Sequence, residues 1–482
     1  MERRHRWLLA LCCGAIAVGL FAPAPLAAQP ERYDLGLRLR AFERAWDAQP
    51  DAAKRQAVVS PLKTAMNAFF SLRLDQAAEG MDRARLMLQG ADLERTDLLW
   101  ANSLAVQPES RLIDAESSSV LVVLRPMYGK WPIPANVRFA VMVGDAPEVE
   151  YPLDRFPCIV KVDLQGASKE KNVDLLLKTE IRVGRTIRVP CEQILSRVEN
   201  RDGRIRLLQA AVAQLPKPRT QIEESTLKHL TEVLALLADR NVMETDYPAA
   251  RLMAEAETLA KNLATKQQTY TPQRDGQFWL TIPTADGPGV GRIFIPKGLK
   301  PGKTVPMVVA LHGAGGSENM FFDGYGDGYI VKQCEERGWI CLAPRGPGLV
   351  GTAPLAGMLD QLVERYPVDR SKILLVGHSM GAAQSIAFAQ RLPDRFAMVA
   401  ALGGGGSIRK DSAAAIAQLP FFIGVGTDDF ALNSSRSLRK QLQQANVKSV
   451  EFKEYPKIEH IVIVREALPD VLAAFQKLIQ PK

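Results

Sequence analysis

Five consecutive residues, Gly377-His378-Ser379-Met380-Gly381, place a serine between two glycines. A G-x-S-x-G match arises by chance in roughly one chain in six of this length, so its meaning rests on what flanks it. Upstream, "KILLV" reads as a buried strand ending at Gly377; downstream, "MGAAQSIAFAQRL" reads as a helix. A serine on a tight strand-to-helix turn has its hydroxyl raised above the sheet edge. Small residues such as Gly377 and Gly381 let strand and helix approach, and the helix amino end directs partial positive charge at the site. Serine hydroxyl is a weak nucleophile at neutral pH, so such a site also needs an imidazole to take its proton. A carboxylate must then fix the tautomer and stabilise the imidazolium.

The elements that must position this turn are legible in the same half of the chain. "VPMVVALHG", "WICLAP", "KILLVGHS", "FAMVAAL" and "FFIGVG" are near-continuous apolar runs, the pattern of parallel strands covered on both faces. Amphipathic stretches such as "APLAGMLDQLVERYP" and "SSRSLRKQLQQAN" separate them. Alternating strands and helices over residues 270–482 imply a doubly wound, mostly parallel α/β sheet. Upstream, residues 29–110 show helical periodicity, 116–192 show strand formers with Pro/Gly turns that suggest a small β-sandwich, and 193–265 read as a second helical region or linker.

With the turn and this alternation, residues 277 to 482 resemble an α/β-hydrolase catalytic domain. In that superfamily the partners follow in the order nucleophile, acid, histidine, which directs attention to two later strand ends. "FFIGVGTDDF" supplies Asp428 and Asp429, and "VEFKEYPKIEH" supplies His460. Of the five histidines, His5 lies at the amino terminus, His229 in the upstream helices, His312 before the nucleophile and His378 beside it, which leaves His460. The resemblance favours Asp429 as the acid, at the end of Gly426-Thr427-Asp428-Asp429, with Asp428 as the alternative.

The resemblance also implies an oxyanion hole from the N–H of Met380 and an N–H in the loop after the third strand. That loop reads His312-Gly313-Ala314-Gly315-Gly316; Ala314 is the candidate donor, Gly313 or Gly315 could replace it, and His312 is expected to order the loop. The glycine run at 402–407 is expected to form a flexible loop at the cleft. Only about 20 residues separate the sixth and seventh strands, too few for a large lid, so the cleft is expected to be fairly open. Phe321, Phe322 and Tyr325 either line it or pack the loop.

The remaining features bound the function. The chain has 482 residues and a formal charge of +8, with basic residues spread rather than clustered, which favours no nucleic-acid partner. No phosphate-loop, zinc-like or calcium-loop motif appears, and the implied chemistry needs neither metal nor cofactor. "MERRHR", an apolar run and "PLAAQP" have the layout of a secretory signal peptide over residues 1–28, cleaved after Ala28; Cys12 lacks the small predecessor of a lipoprotein signal. No later segment is long and apolar enough to span a membrane. Export would permit disulfides, with Cys158–Cys191 and Cys334–Cys341 as plausible pairs against four free thiols.

The expected protein is therefore a secreted or periplasmic serine hydrolase acting on a small or polymeric carboxylic ester, similar to esterases of the polyhydroxyalkanoate-depolymerase and feruloyl-esterase kind. A peptidase resembling the prolyl oligopeptidase group, or a binding protein carrying a relic hydrolase domain, are the alternatives.

Overall fold

The apolar runs of the C-terminal half form one sheet. The computed structural model describes residues 31–239, 244–300, 302–346 and 354–480. The signal-peptide expectation lies outside them.

The chain begins with helices α1 (Arg32–Ala48), α2 (Ala52–Ala57), α3 (Val59–Phe70), α4 (Leu74–Leu88) and α5 (Thr96–Asn102). Eight strands follow: β1 (Leu104–Pro108), β2 (Leu112–Asp114), β3 (Ser119–Pro126), β4 (Val137–Val143), β5 (Val149–Pro152), β6 (Cys158–Asp163), β7 (Val173–Val183) and β8 (Ile187–Val198). They form two sheets, ordered β1-β3-β6 and β2-β8-β7-β4-β5. Side chains alternate in and out along β6, and Val122 and Val160 of one sheet share a core with Phe139, Leu177 and Leu195 of the other. This sandwich spans 104–198, more than the sequence pattern suggested, because its first strands are short.

Helices α6 (Arg201–Ala213), α7 (Ile222–Ala238) and α8 (Ala249–Ala264) come next. They are not a linker. Leu230, Leu234, Leu252 and Met253 belong to the same core as Leu280 and Ile282 of the large C-terminal sheet, and Thr226 Oγ1 accepts the Thr281 N–H at 2.9 Å.

The large sheet comprises β9 (Gly276–Ile282), β10 (Gly289–Ile295), β11 (Val305–Leu311), β12 (Ile340–Pro344), β13 (Val368–His378), β14 (Met398–Leu402), β15 (Phe421–Gly426) and β16 (Val450–Tyr455). Its order is β16-β15-β14-β13-β11-β12-β10-β9. β10 runs antiparallel to both neighbours, and the ladders from β12 across to β16 are parallel. This is the α/β-hydrolase arrangement.

Its continuous apolar runs follow from two-sided burial. Met307, Val309 and Leu311 of β11 face one core, while Val308 and Ala310 face the other. Helices α10 (Leu355–Arg365), α11 (Met380–Arg391) and α13 (Leu432–Gln444) cover the first face; α9 (Tyr329–Arg337) and α14 (Ile463–Ile479) cover the second. The short α12 (Ala413–Ile416) packs beside α11.

The N-terminal helices are bound into this assembly. Phe42, Trp46, Leu62 and Leu88 share a core with Val462. Buried Arg38 donates to Asp82 at 2.8 Å, and Tyr128 of the sandwich donates to the same carboxylate at 2.8 Å. All four described cysteines are free thiols; Cys158 and Cys191 lie in different sheets, while the Cys334 and Cys341 thiols are hydrogen-bonded neighbours. Among the described residues no helix is long and apolar enough to cross a membrane.

Candidate active site

Ser379 stands between the end of β13 and the start of α11 with φ 56° and ψ −114°. That conformation costs a non-glycine residue roughly 1–3 kcal/mol and persists where the surroundings enforce it. They do: the Ser379 N–H donates to the Leu402 carbonyl at 2.9 Å. A Cβ on Gly377 would meet the Gly381 carbonyl oxygen at 2.1 Å, and one on Gly381 would meet the Leu311 carbonyl oxygen at 2.1 Å. Both flanking positions therefore exclude any side chain.

His460, in the turn after β16, is brought to this serine. Its Nε2 lies 2.9 Å from Ser379 Oγ, and its Nδ1 lies 2.8 Å from Asp429 Oδ1. Both His460 and Asp429 are buried. With Nδ1–H donating to the carboxylate, the neutral ring presents its Nε2 lone pair to the serine hydroxyl. The Ala431 N–H donates to Asp429 Oδ1 at 2.8 Å and fixes this carboxylate. Asp428 points elsewhere: its Oδ1 accepts from Lys63 Nζ of α3 at 2.7 Å, and its own N–H donates to the Ile458 carbonyl at 3.1 Å.

The loop after β11 is held by His312. Its Nδ1 lies 2.8 Å from the Gly313 carbonyl and its Nε2 accepts the Gly346 N–H at 2.9 Å. The Gly313 amide is occupied by Tyr325 Oη at 3.4 Å. Neither the Ala314 N–H nor the Met380 N–H has an intramolecular acceptor among the described residues. These two amides border the serine and are free to donate hydrogen bonds to an acceptor from outside the chain.

His378 contributes more than bulk beside the serine. Its Nε2 lies 3.0 Å from the His460 carbonyl oxygen and its Nδ1 lies 2.8 Å from Tyr325 Oη. Burial, then the neighbouring His460, hold its pKa well below the usual imidazole range, so the ring is neutral. Nε2–H then donates to the carbonyl while Nδ1 accepts from Tyr325. One chain of contacts thus ties the glycine loop through Tyr325 and His378 to the backbone of His460. No local pattern in the sequence marks that link.

Two expectations change, and the choice left open for the three aromatic residues is decided. Phe321 and Phe322 are buried in the sheet's core, so of the three aromatic candidates only Tyr325 borders the site. The 402–407 glycine run is packed rather than flexible: a Cβ on Gly404 would meet the Ser379 carbonyl oxygen at 2.6 Å, and one on Gly403 would meet Asp429 Oδ2 at 2.8 Å. The cleft is also covered on one side, because the N-terminal helices lie over it. Phe69 of α3 sits where a Cβ on Gly315 would be, 2.6 Å from its ring, and Arg32 Nη2 donates to the Gly315 carbonyl at 2.7 Å. No local pattern in the sequence marks this docking, which joins residues roughly 250 or more positions apart. Among the described residues no cluster of three His, Cys, Asp or Glu side chains is placed to hold a metal.

Residues 306–445 match a family model described as alpha/beta hydrolase fold. No curated protein matches the chain. Among solved structures, a ferulic acid esterase is similar at 17% identity, covering 43% of this chain and 99% of its own, with a TM-score of 0.37. FphF, a fluorophosphonate-binding serine hydrolase of Staphylococcus aureus, is similar at 15% identity, covering 43% and 100%, with a TM-score of 0.36. A thermostable esterase at 15% identity covers 78% of this chain and 99% of its own, with a TM-score of 0.38.

Proposed function

We propose that this chain, with its α/β-hydrolase domain, is an exported serine hydrolase that cleaves carboxylic esters through an acyl-serine intermediate. Ser379 is the nucleophile, His460 the base and then the acid, and Asp429 the carboxylate that orients the imidazole. The observation that carries this reading is the position of His460, 2.9 Å from Ser379 Oγ on one side and 2.8 Å from Asp429 Oδ1 on the other.

The steps follow from that geometry. His460 Nε2 takes the Ser379 proton as Oγ attacks the ester carbonyl carbon. The carbonyl oxygen becomes an oxyanion and takes hydrogen bonds from Met380 N–H and Ala314 N–H, a contribution of about 3 kcal/mol per donor. The imidazolium, stabilised by Asp429, returns its proton to the leaving alkoxide. Water then repeats the sequence on the acyl-serine and releases the acid.

The purified protein is expected to release p-nitrophenol from p-nitrophenyl butyrate, and Ser379→Ala to lower kcat by roughly 10⁴-fold or more. A fluorophosphonate probe should label Ser379, with the site read by peptide mass. Turnover of peptides without esters would replace this reading by the peptidase one; no labelling would leave a binding protein. Export is tested separately: the mature amino terminus should be Gln29.

A further inference from the structure

The cavity above Ser379 is walled on one side by the catalytic domain and on the other by the N-terminal helices. It has a volume of about 120 Å³ and is bordered on one side by Ser379, His460 and the loop Gly313–Gly316. The opposite wall is α1, α3 and α4, through Leu35, Leu39, Met66, Phe69 and Met81. These side chains are apolar. The charged residues at its border, Arg32 and Glu244, pair with each other at 3.1 Å, so they offer no uncompensated charge to a bound group.

The two sides of the serine differ. Toward the inner faces of α1, α3 and α4 the lining residues Leu35, Met66 and Met81 are buried. Toward His460 the site opens past two aromatic rings in solvent. Phe430 lies 4.1 Å, centroid to centroid, from the His460 ring and is 61% exposed. Phe70 of α3, at the rim where the cavity meets solvent, faces Phe430 edge-on at 5.6 Å and is 48% exposed. A leaving alkoxide must take its proton from His460 Nε2, so the alcohol half of an ester belongs on this exposed side. The acyl half then has only the cavity under the helices.

We infer that α1, α3 and α4 form the acyl-binding site, and that the substrates are esters of a small, uncharged, apolar acid. This rests on the ester-hydrolase reading above. A cavity of about 150 Å³ lined by apolar side chains accepts a six-carbon ring, so this slightly smaller space takes an acyl chain of about four to six carbons. The alcohol side, bounded by two exposed phenylalanines, imposes little size limit.

The test uses the full chain and p-nitrophenyl acetate, butyrate, hexanoate, octanoate and dodecanoate. kcat/KM should peak at butyrate or hexanoate and fall by about 10-fold or more for the longer chains, as expected where added methylenes cannot be housed. Leu39→Phe, which fills the cavity, should lower the hexanoate-to-acetate ratio of kcat/KM by about 10-fold, and Met66→Ala should move the peak to a longer acid. Across methyl, butyl and benzyl esters of butyric acid the spread should be smaller than across the acids.

A flat acyl profile in the wild type, or variants that change every ester by the same factor, overturns the inference while leaving the hydrolase intact. Absence of both ester turnover and fluorophosphonate labelling removes the hydrolase reading and this one with it. Should either variant fail to fold, the wild-type acyl series and the other variant still decide.

Discussion

Adjacent aspartates at the end of β15 have opposite fates. Asp429 turns inward to His460 Nδ1, and Asp428 turns outward to Lys63. The outward pair is partly exposed on both partners, at 45% for Lys63 and 32% for Asp428, so it contributes no more than about 1 kcal/mol. Asp429→Asn is expected to lower kcat by about 10³- to 10⁴-fold, because the amide no longer fixes the imidazole tautomer. Asp428→Asn should alter kcat by less than about threefold and leave stability within about 1 kcal/mol. Steady-state kinetics on the two variants separate the roles. His378 is a positioning residue at the same scale: it touches His460 through a carbonyl and Tyr325 through a hydroxyl, and has no contact with Ser379 Oγ among its hydrogen bonds.

At the scale of elements, α1 is joined to the loop that carries Tyr325 by a buried carboxyl. Glu43 Oε2 accepts the Gly326 N–H at 2.6 Å, while its Oε1 has no partner. Burial raises the Glu43 pKa from the usual 4.5 to about 8; Asp47 and Asp327 add to the rise, and the Gly326 N–H and Arg465 oppose it. The folded protein therefore keeps a proton that the unfolded chain has lost. Its contribution to stability is full below about 4.5 and declines as pH rises toward about 8. Glu43→Gln keeps an acceptor for Gly326 without a charge. It should flatten this slope and make the protein more stable than wild type at pH 8, by an amount on the order of a few kcal/mol, as read by urea denaturation at pH 5 and pH 8.

Over the whole molecule, three regions are riveted to one another. Asp246, between α7 and α8, accepts from Tyr33 Oη of α1 at 2.6 Å and from the Ile194 N–H of β8 at 3.2 Å. Leu234 of α7 is buried in the core that also covers β9. Leu234→Ala should destabilise the protein by about 2–5 kcal/mol, a cost felt by the catalytic sheet as well. Cut from its upstream half, the 266–482 fragment would expose the face of β9 that α7 covers and lose the helices over Ser379. It is expected to aggregate on size-exclusion chromatography, whereas the full chain stays dispersed. A soluble fragment as active as the full chain would show that the upstream helices are dispensable.

Much of the sheet and the serine turn could be read from the chain, because both are set by short-range rules. Two-sided burial writes a strand as a continuous apolar run. The steric squeeze between β13, β11 and α11 demands glycine at 377 and 381 whatever lies elsewhere. The cover of the site could not be read. A short interval between β14 and β15 truly lacks room for a lid, yet one side of the cleft is covered by helices from the other end of the chain. Their own periodicity says only that they have an apolar face, and any apolar surface of matching shape satisfies it. Which surface they meet is settled by contacts such as Phe69 on Gly315 and Lys63 on Asp428, which exist only once the chain has folded.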